Sequence, residues 1–228
     1  MSSIAQTTLR SGLLAALAAA ALFATLLAGV GTEPAAASHL KQKCFPSGSK
    51  TVYRTSEGRF YTRTVKPYFG GTKALFACSY RYGRSYRLWE GDFTEPDSYT
   101  RFRISGHFAG YVVDPGCAND PDCGVRPRVT SLNLRTGVDR AYYSATVDYG
   151  LEKVHDLVLR RNGSIASIAT GTEFNDETPP SAIQVRALDA AGLRILDEGP
   201  GISLRSLELV STTVSWVKDG VRKSATLR

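Results

Sequence analysis

The residues Arg101-Phe102-Arg103-Ile104-Ser105-Gly106-His107-Phe108-Ala109-Gly110-Tyr111-Val112-Val113 and, beyond a cysteine-bounded loop, Arg128-Val129-Thr130-Ser131-Leu132-Asn133-Leu134-Arg135-Thr136-Gly137-Val138-Asp139-Arg140 decide the fold. β-Branched and aromatic residues fill short runs that meet at Gly106 in the first half and at Thr136-Gly137 in the second. Such runs fit a pleated, half-buried surface, and a glycine lets the chain reverse between them. The stretch reads as two hairpins, with strands at 102–105, 108–113, 128–134 and 140–145.

The same plan returns on both sides. Upstream, strands are expected at 51–55, 59–65, 73–81 and 85–90, with turns at Ser56-Glu57-Gly58 and Tyr82-Gly83-Arg84. Downstream they fall at 154–160, 164–170, 182–188 and 194–197; Asn162-Gly163 is a strong hairpin turn. A last, shorter copy has three strands, 204–210, 214–217 and 221–227, closed by an Asp219-Gly220 turn. The second strands superpose: Phe108-Ala109-Gly110-Tyr111-Val112 on Ile165-Ala166-Ser167-Ile168-Ala169 and on Thr213-Val214-Ser215-Trp216-Val217. Each puts a small residue ahead of a large apolar one. No stretch beyond the first 37 residues has the period of an amphipathic helix.

A period of roughly 45 to 55 residues built of four strands is that of propeller blades. Leu134-Arg135-Thr136-Gly137 and Leu188-Asp189-Ala190-Ala191-Gly192 stand where a strand runs into a glycine turn. In this the chain resembles the WD-repeat and TolB-like β-propeller superfamily over about residues 50 to 228. The Trp-Asp dipeptide and the Ser-Pro-Asp-Gly turn are absent, so the resemblance implies architecture and no site. The expected fold is all-β, a propeller-like array of about four four-stranded antiparallel repeats, incomplete or open unless the lead-in at 38–50 completes the last one. A β-sandwich of the same strands is the alternative.

Residues 1–37 read as a signal peptide. Arg10 is the n-region charge, 13–30 is the apolar run, and Ala35-Ala36-Ala37 offers the small-residue cleavage site ahead of Ser38. The run also approaches the ~20 residues of a spanning helix, which makes an uncleaved anchor the alternative and the only expected membrane contact. Val30 stands where a lipoprotein would need its cysteine. Export makes four cysteines a disulfide framework. Cys117 and Cys123 close a short loop and are paired, which leaves Cys44 with Cys78. No Cys-x-x-Cys and no neighbouring histidine favours zinc instead.

The 228 residues are 43% hydrophobic and 21% charged, with a net charge of +7. That balance suits an anionic envelope polymer sooner than nucleic acid. No P-loop, Gly-x-Ser-x-Gly elbow or paired metal-ligand histidines occur. The first repeat interleaves basic and aromatic residues: Arg63, Arg81, Arg84 and Arg87 with Tyr80, Tyr82 and Tyr86. Alternation is expected to set the arginines along one sheet face, where guanidinium groups meet carboxylate or phosphate and tyrosines meet sugar rings. A solvated strand face would use the same residues. The loops with Asp120 and Asp122, and with Asp176 and Glu177, occupy matching places in two repeats and are a Ca²⁺ candidate through oxygen ligands, although Asn, Asp and Pro are also what any long turn uses. Paired acids at Glu90, Asp92, Glu95 and Asp97 would serve a glycan hydrolase.

The reading that results is an exported binding or scaffolding module of the cell envelope, without a catalytic residue. Its expected partner is an anionic cell-wall polymer or another envelope protein. An extracellular glycan hydrolase and a purely structural protein are the alternatives.

Overall fold

The computed structural model describes residues 42–65, 72–88, 98–114, 126–144, 150–173 and 182–228. Its strands run β1 Lys50–Arg54, β2 Gly58–Val65, β3 Thr72–Ser79, β4 Arg84–Arg87, β5 Tyr99–Ser105, β6 Phe108–Val113, β7 Arg128–Asn133 and β8 Asp139–Tyr143. They continue as β9 Gly150–Leu159, β10 Ile165–Glu173, β11 Ala182–Asp189, β12 Gly192–Glu198, β13 Glu208–Val210, β14 Thr213–Lys218 and β15 Val221–Thr226. Sequential strands pair antiparallel into three four-stranded sheets and a final three-stranded one, β13-β14-β15. This is the propeller-like array, and the fifteen strands of the described residues each overlap a run expected from the sequence. The superposed second strands β6, β10 and β14 start at Phe108, Ile165 and Thr213, the residues aligned above.

The turns explain the meanders. Asp219 (φ 52°) and Gly220 (φ 75°) both take positive φ, the signature of the hairpin turn whose twist matches its strands. Gly163 (φ 88°) has a second reason to be glycine: a Cβ there would lie 2.5 Å from the Phe108 ring.

Alternation turns each sheet into a two-sided wall. Ala109, Tyr111 and Leu132 of the second sheet pack on Phe60, Leu75 and Ala77 of the first. Val112, Val129 and Tyr142, from the other side of the second sheet, pack on Val154, Leu157, Ile165 and Ala169 of the third. Val158, Ile168, Val185 and Ala187 then meet Val214, Trp216 and Leu227 on the far side of the third. Three cores in series, not one core between two sheets, set the sandwich alternative aside. Fully burying one such side chain contributes about 1.5–3 kcal/mol, so these seams dominate stability.

Of the two arrangements left open for the last repeat, the described residues take the open one: Cys44 is bonded to Cys78 of β3, and the described part of the lead-in joins the first sheet. The fourth sheet keeps three strands and an exposed outer face with Glu208, Thr213, Arg222 and Ser224. The strand expected from residue 204 starts only at Glu208. Ahead of it, the Ser206 hydroxyl accepts the Val217 N–H and the Asp156 carboxylate accepts the Leu207 N–H, so side chains satisfy groups that a strand ladder would use.

Candidate functional site

Register decides where the first sheet's arginines go. Arg59 pairs with Cys78, Tyr61 with Phe76, Arg63 with Ala74, and Phe76 with Arg87. These residues share the outer face. Tyr86 pairs with Ala77 and Arg84 with Ser79, which places them on the face toward the second sheet. The single row of arginines is therefore split. Arg84 and Arg87 are an odd number of residues apart, and a strand's period of two sends them to opposite sides.

The outer face is built around a buried cation. Arg59 is 1% exposed. Its Nε donates to the Cys44 carbonyl at 2.7 Å, Nη1 to Thr51 Oγ1 at 2.6 Å and Nη2 to Ser49 Oγ at 2.5 Å. The guanidinium lies 4.0 Å from the Phe45 ring centroid and 4.4 Å from that of Tyr61. Tyr61 stacks on Phe76 and Phe45 on Tyr80, so five side chains form one layered stack. Burial holds the Arg59 pKa below the usual arginine range, while the neighbouring Tyr80 and Tyr61 phenols act in the opposite sense. Its donors are spent on the segment that Cys44–Cys78 ties down. Arg59 is thus a fastening for that segment and is not presented to a ligand. Tyr80, 8% exposed, belongs to the same packing.

Arg81, Arg84 and Arg135 gather at the turn end of the first and second sheets. Arg84 Nη1 donates to the Arg135 carbonyl at 2.7 Å, joining the β3–β4 turn to the β7–β8 turn. The Tyr86 hydroxyl reaches the same carbonyl at 3.4 Å. Gly137 lets this happen, since a Cβ there would stand 2.6 Å from the Tyr86 ring. Tyr82 meets His107 of the β5–β6 turn edge to face at 6.1 Å, and Arg81 lies 5.7 Å from the Tyr82 ring centroid. Burial lowers the His107 pKa, and the positive charges of Arg135 and Arg81 lower it further. Arg81, Arg84 and Arg135 are exposed. Glu57, in the β1–β2 turn, is engaged with the Gly106 N–H and with Arg161. The result is a basic surface patch with one aromatic face in it. It can bind an anion electrostatically.

Of the residues expected from sequence, Arg81, Arg84, Tyr82 and Tyr86 come together here. Arg63 and Arg87 lie on the opposite face. Sequence reasoning missed Arg135 and His107, although matching the turns of successive repeats would have brought 82–84, 106–107 and 135–137 to one end. Asp120, Asp122, Asp176 and Glu177 lie outside the described residues, as do Cys117, Cys123 and the acids at 90, 92, 95 and 97. Among the described residues no group of histidine, cysteine, aspartate or glutamate side chains is placed to hold a metal ion, and no helix is long and apolar enough to cross a membrane.

No family model matches the chain, and no curated protein matches it in sequence. Among solved structures it is similar to the acylaminoacyl peptidase of Pyrococcus horikoshii, with 9% identity and a TM-score of 0.42. The match covers 82% of this chain and 33% of the peptidase chain, so this chain spans about a third of that protein. At that distance the likeness bears on neither activity nor site.

Proposed function

We propose that the protein is an exported binding module whose turn-end patch takes an anionic glycopolymer of the cell envelope. The observation that carries this is the Arg84-to-Arg135 hydrogen bond. It brings two turns from different sheets together and sets Arg81, Arg84 and Arg135 around Tyr82 and His107. Guanidinium groups suit carboxylate or phosphate, and a tyrosine face suits a sugar ring. Export is supported by the apolar leader and by the Cys44–Cys78 disulfide, a bond favoured in oxidising compartments.

Retention on purified anionic cell-wall polymer tests the reading. Arg81→Ala/Arg135→Ala removes two exposed charges and leaves Arg84 to hold the turns. Each contact is worth about 1 kcal/mol or less, so several-fold weaker retention is expected, with high salt weakening the wild type as well. Arg63→Ala/Arg87→Ala, on the other face, should retain like the wild type. Equal retention of all three proteins, or none by the wild type at low salt, would sink the proposal.

A further inference from the structure

The first strands of successive sheets lie against one another, β5 against β9 and β9 against β13. Two of them bulge where they meet. In β5, pairing with β6 jumps from Thr100 to Arg103, and Arg101 takes φ 54°. A residue with a Cβ is disfavoured there, and such outliers cluster where a side chain has been aimed for use. In β9, pairing with β10 jumps across His155, the extra residue of a second bulge.

The two bulges touch. Arg101 Nε donates to the carbonyl of Val154, next to His155, at 3.3 Å. His155 Nε2 is 2.8 Å from Thr170 Oγ1, and Lys153 is the residue paired with Thr170 across the ladder. The connection from β12 to β13 closes the third side. Its Leu207 N–H bonds to Asp156 Oδ2, which brings the exposed Arg205 beside the same bulge. Burial lowers the His155 pKa, and the charges of Lys153, Arg101 and Arg205 act on it in the same direction. The acid next in line, Asp156, is committed to Arg103 at 3.5 Å and to the N–H groups of Leu157 and Leu207. Glu152 sits on the opposite side of the strand by alternation.

Three cationic side chains from three separate elements thus surround a neutral imidazole and a threonine hydroxyl. We propose that Arg101, Lys153, His155, Thr170 and Arg205 form a second anion site, which takes one phosphate group through charge from the arginines and lysine and through the one outward hydrogen-bond donor that the Thr170 hydroxyl and the neutral imidazole share between them. It is independent of the turn-end patch and shares no residue with it.

The His155 ring resonance, assigned by its loss in His155→Gln, reads the site directly. Inorganic phosphate and glycerol 1-phosphate are titrated into the full chain at neutral pH, with chloride at matched ionic strength as the reference. The expected result is a saturable shift of His155 that chloride does not produce, with a His155 pKa raised in phosphate because the bound anion favours the imidazolium. Lys153→Ala/Arg205→Ala should weaken that response tenfold or more and leave the His107 resonance in place, which shows the fold intact. Arg81→Ala/Arg135→Ala should keep it, so a failed polymer experiment would not count against this site. A stronger response to the ester assigns an esterified phosphate, and a response at least as strong to the free ion assigns inorganic phosphate. A His155 shift no larger than in chloride, or one unchanged in Lys153→Ala/Arg205→Ala, would overturn the proposal.

Discussion

Glu57 and Arg161 are 104 residues apart in the chain and form an ion pair at 2.5 Å. Glu57 is in the first hairpin turn of the first sheet and Arg161 in that of the third. The other Glu57 oxygen accepts the Gly106 N–H of the second sheet at 2.7 Å. One carboxylate therefore ties three successive sheets at their equivalent turns.

The two halves of that tie should differ in worth. Arg161 is 79% exposed, so Arg161→Ala is expected to cost well under 1 kcal/mol. Glu57→Ala also orphans the Gly106 amide and should cost about 1–2 kcal/mol. Urea denaturation of the single and double variants measures both, and equal costs would contradict this account.

Two glycines separate backbone strain from steric clash. Gly192 (φ 92°) has open space where a Cβ would go, whereas at Gly163 (φ 88°) a Cβ would strike the Phe108 ring. Gly192→Ala should cost on the order of 1 kcal/mol, from the left-handed backbone alone. Gly163→Ala should cost roughly 1–3 kcal/mol more, through overpacking. Thermal melts of the pair check the order.

Asp197 sets an acid limit. Desolvation raises its pKa, but hydrogen bonds from Trp216 and Lys218 and the Glu198 N–H outweigh that and leave it at about 2. A carboxyl whose pKa is depressed on folding gives stability that is full above its unfolded value near 3.8 and is lost as pH falls toward 2. The contribution is about 2 kcal/mol. Asp197→Asn should remove this part of the acid dependence between pH 4 and 2 and lower stability at neutral pH. An identical acid profile in Asp197→Asn would refute the assignment.

The disulfide closes a loop with a sequence separation of 34. Chain entropy then gives about 4 kcal/mol. Cys44→Ser/Cys78→Ser should lose stability of that order and uncover the Phe45–Arg59–Tyr61 stack to protease near residue 45. Non-reducing peptide maps should show Cys44 linked to Cys78 and, in a separate peptide, Cys117 linked to Cys123.

Much of the fold was legible in the chain because its determinants are local. Ala109 and Tyr111, Ala166 and Ile168, and Val214 and Trp216 face a core in the second, third and fourth repeats, since a strand's period of two needs no distant information. Asp219-Gly220 makes its turn from its own backbone preferences. The Cys44–Cys78 pairing followed from loop lengths. Part of the candidate site was legible as well, because Arg81, Tyr82 and Arg84 are neighbours in one turn.

What remained hidden depends on which face of a sheet meets which neighbour. From sequence, Arg59 looks like any other arginine of the first repeat; the tertiary structure buries it because residues 44–51 fold back over its face and supply its hydrogen-bond acceptors. Arg84 and Arg87 looked like one row until register assigned them to opposite sides. Arg135 and His107 joined the patch only because the second sheet packs against the first, which sets distant turns side by side. Alternation and turn chemistry act over a few residues and can be read along the chain. Packing of one wall on the next acts across tens of residues, through core volumes that no short stretch encodes.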